Sequence, residues 1–250
     1  MENSKNMENV IIVLPARLKS SRLPGKMLEK VGGVPLIVAS AKNAQKTGFP
    51  VLVVADDDSI VDACLEHGIL VERTPVDCAS GTDRIAYIAA RLAWRDKVVV
   101  NVQGDEPLLE PELISSVAKS LIQSGSDMAT AAVSLSGYEQ WQDPNCVKVV
   151  ANDAGKVLYF SRAPVPYDRD GGRRDVPACA YRHLGIYAYT SESLLRWPAL
   201  PASSLESIEK LEQWRALEAG LSMSLHVARS TQSISVDTLH DLAAARKVLG

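Results

Sequence analysis

Val10-Ile11-Ile12-Val13-Leu14-Pro15-Ala16-Arg17-Leu18-Lys19-Ser20-Ser21-Arg22-Leu23-Pro24-Gly25-Lys26 runs from an unbroken apolar stretch into a turn-rich loop that carries four cationic side chains. The apolar part reads as a buried β-strand. Pro15, Pro24 and Gly25 stop that strand and delay any helix, so backbone N–H groups are left free to point at an anion. Arg17 and Arg22 offer planar forks that grip phosphate oxygens in pairs, and Lys26 adds a mobile point charge. A basic loop in isolation is more often solvated surface. This one sits at the carboxyl end of the first strand of an alternating chain, which is where open α/β sheets bind ligands. A polyphosphate is the anion that matches it.

Working outward, further β-rich apolar runs occur at 51–55, 98–102 and 128–133, with the first at 10–14. Helical periodicity falls between them at 35–47, 59–67, 82–93 and 111–123. This alternation predicts parallel βαβ units with right-handed crossovers, and the continuous apolar character predicts strands covered on both faces. After residue 147 the rhythm changes: short strands at 147–151, 157–160 and 183–189 surround a Pro-, Gly- and Arg-rich stretch at 164–177. We therefore expect one domain over 1–250 with a mainly β insertion at about 145–190. Helices are predicted again at 205–219, opened by Ser203 and Glu206 as a capping box and closed near Gly220, and at 239–249.

The chain has 250 residues, 46% hydrophobic and 23% charged, with a formal net charge of −3. That composition is globular, and its charge excludes a general nucleic-acid coat, so the basic loop stands out as a local feature. Cys64, Cys78, Cys146 and Cys179 form no C-x-x-C pair and no zinc-like spacing, which reads as reduced thiols. No apolar run approaches the ~20 residues that span a bilayer. The expected compartment is the cytoplasm, with no membrane partner.

A second signal is Asn101-Val102-Gln103-Gly104-Asp105-Glu106-Pro107, again at the end of an apolar strand. A carboxylate there would repel bound phosphates unless a hard cation lay between them. Mg²⁺ typically uses one or two carboxylates with phosphate oxygens and waters, which makes Asp105 a candidate ligand. The same Asp could simply cap the turn at Gly104 and Pro107. Asp237, in Ile234-Ser235-Val236-Asp237-Thr238, is either a second such acid or the N-cap of the last helix. Ala79-Ser80-Gly81-Thr82-Asp83-Arg84 is a small-residue turn at a helix start, suited to a base edge or phosphate and equally to capping. On the expected helix at 205–219, Glu212 falls between Leu205 and Ile208 on the apolar stripe, where a carboxylate needs a partner.

Taken together, the ordered blocks resemble the 3-deoxy-manno-octulosonate (KDO) cytidylyltransferases, also called CMP-KDO synthetases. The resemblance rests on Pro15-Ala16-Arg17, Ser21-Arg22-Leu23-Pro24-Gly25-Lys26, Ser80-Gly81-Thr82, Asn101 to Pro107, Leu158-Tyr159-Phe160-Ser161-Arg162, Arg182-His183-Leu184-Gly185-Ile186-Tyr187, Glu209-Lys210-Leu211-Glu212-Gln213 and Val236-Asp237-Thr238. It implies a Rossmann-like nucleotide-diphospho-sugar transferase fold, with a mostly parallel sheet and a smaller β-rich region that joins a homodimer. It also implies CTP and an octulosonate sugar acid as partners and Mg²⁺ as cofactor. Arg17, Arg22 and Lys26 would hold the triphosphate, and Ser80, Thr82 and Gln103 the cytidine. Pro15, Ala16, Gly81 and Gly104 would belong to the same nucleotide site. Asp105 and Asp237 would share the metal and, with Arg17 and Lys26, form the catalytic group. Arg162, His183, Tyr187, Glu212 and Gln213 would line the sugar pocket. Residues 168–181 depart from the common pattern and are short. Some relatives with similarly short segments use an 8-amino-8-deoxy sugar, so the resemblance implies KDO or that analogue.

Rival readings are limited by the same residues. No G-x-G-x-x-G follows the first strand, which argues against a nicotinamide dehydrogenase. A sialate-type or hexose-1-phosphate nucleotidyltransferase shares the phosphate-loop logic. A non-catalytic nucleotide sensor could dispense with the two acids and Lys26, all of which are present.

Overall fold

In a computed structural model, which describes residues 7–20, 22–170, 175–231 and 233–250, strands and helices alternate as the sequence predicts. Ser21 of the basic loop and residues 171–174 of the divergent stretch lie outside the described residues. The first part comprises β1 (Val10–Ala16), β2 (Lys30–Val31), β3 (Val34–Pro35), α1 (Leu36–Gln45), β4 (Val51–Ala55), α2 (Asp58–Glu66), β5 (Val71–Arg73), α3 (Gly81–Arg91), β6 (Val98–Asn101), α4 (Pro111–Ser124) and β7 (Met128–Ser134). There follow α5 (Tyr138–Gln142), β8 (Lys148–Ala151), β9 (Val157–Ser161), β10 (Ala180–Thr190), α6 (Ser191–Arg196), α7 (Ser204–Glu209), α8 (Trp214–Glu218), β11 (Met223–Ala228) and α9 (Leu239–Leu249).

Local chemistry sets the boundaries. Asp57 caps α2 by accepting a hydrogen bond from the Ser59 N–H at 2.9 Å, and Ser80 caps α3 by accepting from the Asp83 N–H at 3.1 Å. Proline opens α4, and Gly125 closes it in the left-handed conformation at φ 62°. A capping box between Thr238 and Asp241 starts α9.

The main sheet runs β11-β7-β10-β6-β1-β4-β5. β5, β4, β1 and β6 are mutually parallel, as are β7 and β11, while β10 is antiparallel to both of its neighbours, β6 and β7. Along β1 the side chains alternate between two cores. Ile12 and Leu14 pack with Ile37, Val38 and Ile114 on one face, and Val13 packs with Ile85, Ile88 and Ala89 on the other. Both faces are covered, which is why the strand sequences lack polar alternation. The arrangement is a Rossmann-like α/β fold.

The expected β-rich segment forms: β8 and β9 make an antiparallel extension, and β10 pairs with β8 through Ala180–Arg182 and then enters the main sheet, where Tyr187 lies opposite Asn101. The register of β10 against β7 shifts between Leu184 and Tyr187. One expectation needs correction. The helix expected at 205–219 is broken into α7 and α8, with Lys210 left-handed at φ 55° between them. The Glu209 carbonyl, which would accept from residue 213 in a continuous helix, instead accepts from Arg162 Nε at 2.6 Å. Ile208 is accordingly exposed, and the apolar stripe does not form.

The approach of the β6–α4 connection to the β1 loop is close enough to require glycine. A Cβ built on Gly104 would lie 2.9 Å from Ile37 Cδ1 and 3.0 Å from the Pro15 carbonyl oxygen. Gly104→Ala should therefore cost about 1–3 kcal/mol through overpacking, read as a lowered urea midpoint. An unchanged midpoint would show that the two loops are not held at this spacing.

Candidate active site

The basic loop closes on itself, with the Gly25 N–H donating to the Leu18 carbonyl at 3.2 Å and Gly25 left-handed at φ 70°. The turn returns Lys26 to the sheet, where it is buried. Its ammonium donates to Asp105 Oδ2 at 2.5 Å, to Asp237 Oδ1 at 2.8 Å and to the Val236 carbonyl at 3.0 Å. Burial alone would lower the Lys26 pKa, but the Asp105 carboxylate, followed by Asp237, outweighs it and holds the pKa above its ordinary value. Arg22 Nη2 reaches the same Asp237 Oδ1 at 2.9 Å from an exposed position.

The acids meet because the last segment is stitched onto the first. The Val236 N–H donates to the Asp105 carbonyl at 2.9 Å, and the Val236 side chain is wholly buried with Leu23, Leu36 and Leu242. The open choice for Asp237 is thereby decided: Thr238 is the N-cap of α9, and the Asp237 carboxylate is turned to Lys26 and Arg22.

Around these groups lies a cleft of roughly 500 Å³, lined by Pro15, Ala16, Arg17, Ser20, Arg22, Lys26, Met27, Cys78, Ala79, Ser80, Gly81, Arg84, Gln103, Asp105, Glu212, Ser235 and Asp237. A hollow of about 760 Å³ lined by Arg95, Lys97 and Arg196 opens where β6 begins, away from all of these residues. The smaller cleft is the better site, because it sits at the carboxyl ends of the parallel strands and gathers the opposed charges.

Ser80 fills the capping role read from the sequence and also lines the cleft. It caps α3, and its hydroxyl donates to Glu212 Oε1 at 2.5 Å. Glu212, in the irregular link between α7 and α8, has its pKa raised by burial despite the Ser80 hydrogen bond and nearby Arg215. Thr82 is buried behind this pair, 3.5 Å from the Tyr189 hydroxyl. Gln103 lines the cleft, with its amide 3.5 Å from Asn101 Oδ1. Gly104 lies between Gln103 and Asp105 and is packed against Pro15.

The predicted sugar residues divide. Glu212 lines the cleft, and the adjacent Gln213 is buried with its Nε2 unpartnered among the described residues. His183 stacks edge-on to Phe160 at 5.0 Å and tilts against Tyr187 at 5.4 Å, with Nε2 3.0 Å from Thr130 Oγ1. Desolvation pushes the His183 pKa down to about 3 and the Tyr187 pKa well above its ordinary value. Arg162 stands apart from the cleft lining. Its guanidinium donates to the Glu209 and Pro144 carbonyls, and its N–H donates to the Glu209 carboxylate at 2.5 Å.

Sequence reasoning passed over Asp56 and gave Arg84 no role of its own within the 79–84 turn; the two form a buried ion pair at 3.2 Å, with Arg84 in the cleft lining. The available signal was an Asp-Asp-Asp run at the end of the 51–55 strand, with Arg84 one turn into the Ser80 helix.

A mostly parallel sheet covered on both faces, with a basic loop, paired acids and a hydroxyl-bearing turn at the carboxyl ends of its parallel strands, has the layout of a nucleotide-handling transferase domain. Comparison with known proteins is specific. The cytidylyltransferase family matches residues 11–226. The 3-deoxy-manno-octulosonate cytidylyltransferase of Neisseria gonorrhoeae (strain NCCP11945) is 43% identical over 249 residues, covering 97% of this chain and 98% of that protein. The protein of the same name from Herminiimonas arsenicoxydans is 44% identical over 244 residues, with 94% and 97% covered. A solved structure of CMP:2-keto-3-deoxy-manno-octonic acid synthetase complexed with CTP superposes with a TM-score of 0.88 at 32% identity, covering 96% of this chain and 98% of that one. The chain belongs to the cytidylyltransferase family, among the 3-deoxy-manno-octulosonate cytidylyltransferases.

The desolvated His183 ring gives a pH test. From pH 6.5 downward the unfolded chain takes up a proton that the folded chain refuses until about pH 3, so stability falls as pH drops through that window. His183→Gln should remove this component: between pH 7 and pH 4.5 the variant's urea midpoint should fall less than the wild type's. Parallel falls would mean that the ring is protonated in the fold.

Proposed function

We propose that this chain is the nucleotidyltransferase that joins CTP to 3-deoxy-manno-octulosonate, forming the CMP-sugar used in lipopolysaccharide synthesis and releasing pyrophosphate. The observation that carries the reading is the convergence of Asp105 and Asp237, from distant parts of the sequence, on one cationic position beside the basic loop. The relatives' names and the CTP in the related structure supply the substrates.

Two carboxylates aimed at one cation match a hard ion such as Mg²⁺. Asp105 and Asp237 would hold it, and when bound it would polarise the α-phosphate and neutralise developing charge. The protein's own groups do the rest. Arg17, Arg22 and Lys26 bind the triphosphate and take up charge on the departing pyrophosphate. Ser80, Gly81 and Gln103 orient the nucleoside, and Glu212 faces the sugar side of the cleft. The anomeric oxygen of the sugar forms the new bond to the α-phosphorus as the bond to the pyrophosphate oxygen breaks, and the hydroxyl proton leaves to solvent. Such transfer depends on positioning and charge rather than on a protein nucleophile.

The same reading places the enzyme in the cytoplasm as a homodimer. It is supported by thiols that form no disulfide and by Leu158 of β9, which is exposed and apolar. Among the described residues no helix is long and apolar enough to cross a membrane. A competition assay between KDO and its 8-amino-8-deoxy analogue decides which sugar is preferred.

Asp105→Asn should cut Mg²⁺-dependent pyrophosphate release from CTP and KDO by at least about 100-fold while the protein stays folded by circular dichroism. Near-normal release would remove Asp105 from the reaction.

A further inference from the structure

We infer that Asp56 and Arg84 act together as a positioning pair that fixes the triphosphate loop against the nucleoside turn, an inference that rests on the reading of the cleft as a CTP site. Neither residue belongs to the nucleotide, metal or sugar sets described above. Asp56 lies immediately after β4, and its two carboxylate oxygens serve different loops. Oδ1 accepts from the Leu18 N–H at 2.9 Å, one residue from Arg17, and Oδ2 accepts from Arg84 Nη2 at 3.2 Å. Arg84 sits in the first turn of α3, where its N–H donates to the Ser80 carbonyl at 3.2 Å. Its Nη1 donates to the Pro75 carbonyl at 2.9 Å and to the Thr74 hydroxyl. Thr74 in turn donates to the Ala55 carbonyl through both its N–H and its hydroxyl.

One carboxylate and one guanidinium thus join the loop after β1, the end of β4, the segment after β5 and the start of α3. Both side chains are buried, with relative exposures of 7% for Asp56 and 3% for Arg84. A buried ion pair is poor evidence for stability, since packed apolar residues often serve as well. It does set geometry, because the fork of the guanidinium fixes directions that a lysine ammonium cannot reproduce. What it sets here is the separation between Arg17, which meets phosphates, and Ser80 and Gly81, which meet the nucleoside. Misplacement of such groups weakens nucleotide binding without touching the sugar side.

The test uses the full chain with Mg²⁺ present. CTP affinity is measured by calorimetry without sugar, together with steady-state kinetics and thermal midpoints for Asp56→Asn, Arg84→Lys and the double variant. Each single variant should bind CTP about 10-fold more weakly or worse, with the sugar KM and the kcat at saturating CTP within about 3-fold of wild type. The double variant should lose no more than the worse single one, as expected of residues that act as a unit. CTP affinity within about 2-fold of wild type in both singles, with only a lower thermal midpoint, would overturn the inference. So would loss confined to Arg84→Lys, which would mean that Arg84 meets the nucleotide without Asp56, or equal loss on both substrates. A wild-type chain that fails to bind CTP would instead overturn the functional reading beneath it.

Discussion

Lys26, held between Asp105 and Asp237, is the contact on which the rest of the architecture turns. Two carboxylates brought together at the carboxyl end of a sheet repel one another. A cation between them removes that conflict, and without metal a buried ammonium supplies it. The arrangement requires that a residue shortly after β1, one after β6 and one just before the last helix arrive at one place. It is secured by the Val236 N–H donating to Asp105 and by the small core of Leu23, Leu36 and Val236.

The sheet explains why a charged cleft can exist at all. Strands packed on both faces leave loops free to meet at their carboxyl ends without being consumed by the core. β1 sends the basic loop there, β6 sends Gln103 to Asp105, and α3 starts there with Ser80. Gly104 lets two of these loops come within van der Waals contact. Asp56 and Arg84, the latter in the cleft lining, join the loops from one side. On the far side, β10 passes between β6 and β7 and carries the stacked His183 and Tyr187 rings.

Much of this was legible in the sequence because the strands beside the cleft are uniformly apolar and each ends in a distinctive polar run. The basic loop, both acids and the Ser80 turn all fall where pattern and chemistry place them. What escaped was set by tertiary contact. β5 and the β2–β3 pair are too short to show periodicity, and β11 reads as polar as it does apolar. The direction of β10 depends on which neighbours it finds. The helix break at Lys210 follows from Arg162 claiming the Glu209 carbonyl, a contact between segments 47 residues apart. That same contact explains why Arg162 lies away from the cleft lining. The Asp56–Arg84 pair was hidden for a similar reason, since only the fold shows that one carboxylate serves two loops.

The central claim is that Asp105 and Asp237 jointly hold a divalent ion against the triphosphate. Electron paramagnetic resonance of Mn²⁺ titrated into the protein with CTP tests it most directly. The account predicts bound Mn²⁺ whose affinity drops by about 10-fold or more in Asp237→Asn. Mn²⁺ bound as tightly by that variant as by the wild type would contradict it.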